Sequence, residues 1–149
     1  MNKSNVVKKE NILRIYVDGA SRNNPGHSAC AFIFLKNGDS TPITSYVEYI
    51  GKATNNIAEY EAIIRALENA VKYTRWDVII YSDSELVVNQ LNGVYRVKKE
   101  HLRKKLERIY SLITFFESVS FQHVPRYNKF IAKCDSLCNK KLDEMEGKN

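Results

Sequence analysis

Apolar residues come in short strand-like runs in the first third of the chain, and the period then shifts to that of a helix. Ile12 to Val17 suits a strand, Asn23-Asn24-Pro25-Gly26 is a turn signal, and Ser28 to Leu35 reads as a second strand. Lys36-Asn37-Gly38-Asp39 turns the chain again into a third strand, about Thr41 to Ile50, so these three form an antiparallel meander. From Thr54 to Tyr73 the apolar positions recur at helical spacing, and Asp77 to Tyr81 is a compact strand reached through that helix. A crossover of this kind implies parallel pairing. A short helix, about Ser84 to Leu91, stops near Asn92-Gly93; a longer one, about Lys99 to Phe116, carries Leu102, Leu106, Ile109, Ile113 and Phe116 on one stripe. A last strand, about Val119 to Val124, precedes Pro125 and a final helix to roughly Glu144. The order β-β-β-α-β-α-α-β-α predicts an α/β fold, a five-stranded mixed sheet flanked by helices.

Four acidic residues break the pattern. Asp135 falls on the stripe of Ile131, Cys138 and Leu142, which a solvated aspartate has no reason to join. Glu59 shares a helix face with Ala62, Ile63, Ala66 and Ala70, although Asn56 to Glu59 also has the spacing of a capping box. Asp18 ends the first predicted strand and Asp83 ends the fourth, positions that turn chemistry alone can explain. If the first and fourth strands are neighbours at the sheet centre, the two aspartates meet at one end and the helical acids lean over them. Four crowded carboxylates repel unless cations neutralise them, and hard oxygen ligands suit Mg²⁺, with Mn²⁺ able to substitute. In the absence of a thiol, serine-histidine or lysine nucleophile constellation, water activated by such cations and attacking a phosphodiester is the chemistry this cluster supports best.

The remaining features set bounds. A length of 149 residues suits one domain, 1–149, with 1–11 and 145–149 expected to fray. No apolar run approaches the ~20 residues that span a bilayer, and the polar start lacks a signal-peptide core, so a soluble, cytoplasmic protein without membrane contact is expected. Cys30, Cys134 and Cys138 are odd in number and lack zinc-site spacing, which suggests reduced, buried thiols. The net charge of +6 is concentrated, with seven basic residues between Arg96 and Arg108 against Glu100 and Glu107. Such a stretch, with Lys104 and Lys105 at its middle, is a candidate nucleic-acid contact as well as an ordinary solvated helix face.

Asp18-Gly19-Ala20-Ser21 with Asn24-Pro25-Gly26, Thr54-Asn55-Asn56-Ile57-Ala58-Glu59, Tyr81-Ser82-Asp83-Ser84, and Cys134-Asp135 with Leu137 and Asn139 resemble, in order, the four signature blocks of type 1 ribonuclease H. Leu91 to Lys98 and the basic helix after it are similar to the compact bacterial and archaeal members without the basic protrusion, and the resemblance covers about Ile12 to Leu142. It implies an endoribonuclease that hydrolyses the RNA strand of RNA/DNA hybrids by a two-metal-ion mechanism, giving 5′-phosphate and 3′-hydroxyl ends. Asp18, Glu59, Asp83 and Asp135 would hold two Mg²⁺ ions. Asn24 and Asn56 would meet the RNA strand, and Thr54 and Asn55 a phosphate of the DNA strand. Double-stranded RNA is a further candidate substrate, and no obligatory protein partner is evident.

The chain departs from the family where many members carry a histidine before the last aspartate. Here the loop reads Val124-Pro125-Arg126-Tyr127-Asn128-Lys129-Phe130, so Arg126 and Asn128 are candidates for that role, while His123 reads as structural. Glu85 replaces an amide or small polar residue, a change expected to weaken an RNA contact or admit other substrates. A binding module that had lost catalysis should lack one of the acids, and all four are present. A retroelement or replication-complex fragment would share the same chemistry. An ATPase of this fold would need a glycine-rich phosphate loop, and the six glycines are scattered singly.

Overall fold

The computed structural model describes residues 12–147, so the expected fraying of 1–11, 148 and 149 lies outside the described residues. Five strands, β1 (Leu13–Ser21), β2 (Gly26–Lys36), β3 (Thr44–Ala53), β4 (Asp77–Ser82) and β5 (Ser118–His123), form one sheet in the order β3-β2-β1-β4-β5. Four helices accompany them: α1 (Asn55–Ala70), α2 (Glu85–Leu91), α3 (Glu100–Ile113) and α4 (Lys129–Met145). β1, β2 and β3 pair antiparallel, and β4 lies parallel to both β1 and β5. The mixed sheet and the element order are those expected from the periodicities.

Strand alternation divides the apolar residues between two faces. Leu13, Ile15 and Val17 of β1 and Val78 and Ile80 of β4 join the larger core, with Ile63 and Leu67 of α1 and Leu102, Ile109 and Leu112 of α3. Ala29 and Ala31 of β2 face Cys134, Cys138 and Leu142 of α4 in the smaller core on the other side. Small side chains on both partners let α4 lie close to the sheet. All three cysteines are free and buried, and burial pushes their thiols well above the usual range, which leaves them poor nucleophiles.

The structure revises several boundaries. β1 runs to Ser21, so Asp18 sits inside the strand rather than at its end: β2 continues to pair with β1 as far as Ser21 with Ser28. The β1–β4 ladder, by contrast, stops at Tyr16 with Tyr81. The cap of α1 is Thr54, whose hydroxyl accepts from Ile57 N–H at 3.2 Å, and not Asn56. Glu59 is therefore no capping residue. α3 ends at Ile113, with Phe116 still buried in the turn beyond. α4 runs through Met145, where fraying was expected; the Glu146 N–H bonds back to Leu142 O at 3.0 Å.

Candidate active site

The end of the β1–β4 ladder positions two carboxylates. Tyr16 pairs with Tyr81 at the end of that ladder, and beyond it Asp18 continues along β1 while Asp83 lies just after the end of β4. From α1 comes Glu59, only 4% exposed, which must pack where the helix meets these strand ends. One oxygen each of Asp18, Glu59 and Asp83 lies within 4.8 Å of the others. Asp135 of α4 lines the same cleft of about 200 Å³, although it falls outside that tight triad.

Two groups beyond the acids hold Glu59. Gly19 N–H donates to Glu59 Oε1 at 2.8 Å, and the Ser82 hydroxyl donates to Oε2 at 2.5 Å. Gly19 also allows the helix to approach, because a Cβ there would lie 2.3 Å from the Ala58 carbonyl carbon and 2.4 Å from Glu59 N. Ser82 was not singled out from the sequence, yet a signal existed: alternation puts it in the row of Val78 and Ile80, facing α1, where a polar residue needs a partner.

Burial raises the Asp18 pKa to about 9, reinforced by the charges of Glu59, Asp83 and Asp135. Burial likewise raises Glu59, against the pull of its Ser82 and Gly19 hydrogen bonds. Asp83 moves in the same direction for the same leading reason, opposed chiefly by Arg126. A pocket of carboxylates that favours protonation when alone is one that a cation would stabilise. The donor set, all carboxylate oxygen, fits a hard divalent ion.

The other candidate residues separate into groups. Asn55, Asn56 and Arg126 line the cleft with the acids. Asn24 lies beside it, accepting from Asn55 N–H at 2.9 Å. Thr54 is occupied as the α1 cap. Arg126 is 85% exposed, its Nε 3.8 Å from Asp83 Oδ2. Asn128 caps α4, accepting from Phe130 and Ile131 N–H at 2.9 and 3.2 Å, which commits its side-chain oxygen to the helix. His123 proves to be exposed at the end of β5, where it lowers the Asp83 pKa slightly rather than filling the core. Lys104 and Lys105 are not part of the cleft lining; they flank a groove between α1 and α3, and Lys105 pairs with Glu61 at 3.5 Å.

Comparison with known proteins sets this geometry in a family. Residues 16–140 match the family described as reverse transcriptase-like. Ribonuclease H of Francisella philomiragia is 31% identical over 153 residues, covering 95% of this chain and 97% of that protein. The chain belongs to the ribonuclease H family. Within it, ribonuclease HI of Halobacterium salinarum is 41% identical over 129 residues, 87% of this chain and 63% of that protein's length. The crystal structure of RNase H1 from that archaeon superposes with a TM-score of 0.83 at 39% identity, covering 89% of this chain and 98% of that one. LC11-RNase H1, whose structure is of a complex with an RNA/DNA hybrid, gives 0.82 at 35% identity over 89% of this chain and 98% of its own. This ribonuclease H relative is thus of the compact type 1 form, and among its described residues no helix is long and apolar enough to cross a membrane.

Proposed function

We propose that the protein is an endoribonuclease that hydrolyses the RNA strand of RNA/DNA hybrids, leaving 5′-phosphate and 3′-hydroxyl ends. The observation that carries this reading is the convergence of Asp18 of β1, Glu59 of α1 and Asp83 after β4 within 4.8 Å of one another in a cleft that Asp135 also lines. Asp18, Glu59, Asp83 and Asp135 would hold two divalent cations, Mg²⁺ with Mn²⁺ as a substitute. When bound, these ions would polarise the phosphodiester and make water a competent nucleophile at neutral pH.

The chain's own groups orient and restrain. Gly19 N–H and Ser82 fix both oxygens of Glu59, so its carboxylate needs no rearrangement as substrate arrives. Asn24 and Asn56 would meet the RNA strand, where amide groups can read the 2′-hydroxyls that distinguish RNA from DNA, while Asn55 beside them would face a phosphate of the DNA strand. Arg126 stands near Asp83 in the cleft lining, where its charge can meet a phosphate. Duplex RNA, which offers the same hydroxyls, is the second substrate to test. The three free, buried thiols fit a reducing, cytoplasmic setting.

End-labelled RNA/DNA, RNA/RNA and DNA/DNA duplexes of one sequence provide the test. Cleavage of the RNA strand of the hybrid with Mg²⁺, abolished by EDTA and leaving 5′-phosphates, is the expected result. Hybrid that stays intact under all metal conditions would overturn the proposal.

A further inference from the structure

The geometry points to Arg22 as a positioning residue that clamps the RNA-facing turn, residues 22–26, to the last two turns of α4; this rests on the function proposed above. Although it lies in a surface turn, the Arg22 side chain is only 25% exposed. Its Nη1 lies 2.7 Å from Glu146 Oε2 and 2.8 Å from Asp143 Oδ1, and its Nη2 donates to Asn139 O at 3.1 Å. Asn139, Asp143 and Glu146 are spaced by four and three residues, so they share one face of the helix. Neither acid lines the catalytic cleft.

The opposite side of the turn is tethered to the start of α1. Ser21 N–H donates to Asn55 Oδ1 at 2.8 Å, and Asn55 N–H donates to Asn24 Oδ1 at 2.9 Å. Arg22 N–H closes the turn onto His27 O at 2.9 Å, and a Cβ on Gly26 would lie 1.6 Å from Arg22 O. Asn23 and Asn24 have positive φ, 67° and 22°, the first in the left-handed region that asparagine adopts more readily than most residues. Arg22 ties this turn to α4, while Asn24 and Asn55 tie it to α1. The helix that receives the clamp is the one bearing the fourth acid, and within it Asn139 Nδ2 donates to Asp135 O at 3.1 Å. Arg22 therefore sets Asn24 relative to the cleft without touching substrate.

Steady-state cleavage of a labelled hybrid, paired with amide hydrogen exchange, tests the clamp. In Arg22→Ala the KM should rise about tenfold, because ordering the turn falls to the substrate, while kcat stays within about twofold. Preference for hybrid over DNA duplex in binding should fall, and Arg22→Lys should restore part of both. The Asp143→Asn, Glu146→Gln double variant should reproduce the KM effect, and adding Arg22→Ala to it should change little more. The Asn55 amide should exchange faster in every variant that lacks the clamp. Unchanged KM and unchanged Asn55 exchange would overturn the clamp. A wild-type chain that cleaves no hybrid, with Asn55 exchange still responding to Arg22→Ala, would instead sink the functional reading and leave the clamp standing as a device of the fold.

Discussion

Asp18 is a carboxyl that the fold, without cations, holds mostly protonated near neutral pH. Its pKa lies at about 9 against a usual 3.8, so the folded chain keeps a proton that the unfolded chain releases. The associated stability is fully present below about pH 4 and is lost as pH rises toward 9. Thermal melts in EDTA should therefore show a declining melting temperature across that window, and Asp18→Asn should flatten the decline. The same variant should melt a few degrees higher than wild type in EDTA at pH 8, yet lose cleavage by about 10³-fold, because a ligand has gone and a repulsion with it. A fully active Asp18→Asn chain would refute the site. Ser82→Ala is the complementary case: it leaves Glu59 Oε2 without its buried donor, and denaturant unfolding should register a loss of about 1–2 kcal/mol. Asp135 and Glu59 were legible as misfits on apolar helix faces and Asp18 and Asp83 only jointly with them, whereas the Ser82 contact depends on how α1 docks, which no local period encodes.

At the scale of elements, the β1–α1 contact sets the site. Gly19 N–H and the start of α1 can meet only because no side chain intervenes, so Gly19→Ala must push the helix off the strand against backbone atoms. A loss of about 3 kcal/mol by denaturant unfolding, with activity falling in parallel, is expected; a neutral Gly19→Ala would contradict this packing. The order of the elements and the parallel sense of β4 could be read from the sequence because turn residues and a change of period mark their succession, whereas the placing of β4 directly beside β1 was only a condition that the sheet order meets. The extension of β1 past Asp18 could not, since it depends on β2 continuing to pair where β4 has stopped. The choice of Thr54 over Asn56 as the α1 cap was equally hidden, because either side chain can accept from the first turn. Helix α3 yields a prediction of its own. Lys104 is exposed and Lys105 is paired with Glu61, so Lys104→Ala should lower the salt slope of hybrid binding by about 0.9, and Lys105→Ala should lower it less. Equal slopes in both variants and wild type would move the binding face away from α3.

For the molecule as a whole, the two cores lie on opposite sides of the sheet, and the acids gather where strand ends meet helices from both sides. Charge is divided differently, with an acidic cleft at the strand ends and a basic α3 on the side of the sheet that α1 also covers, an arrangement that under the proposed function suits a polyanion drawn in by one region and cut at another. The three closest carboxylates belong to β1, to α1 and to the residue that follows β4, the strand reached from α1. In an extended chain these groups are 41 and 24 residues apart in sequence and form no common chelate. If the proposed site takes Mg²⁺, its occupancy is therefore thermodynamically linked to folding itself: at 100 times its dissociation constant the ion should add about 2.7 kcal/mol by mass action, read as a concentration-dependent rise in melting temperature. Asp18→Asn should erase most of that increment, making the cation titration a gauge of whether the crossover has closed.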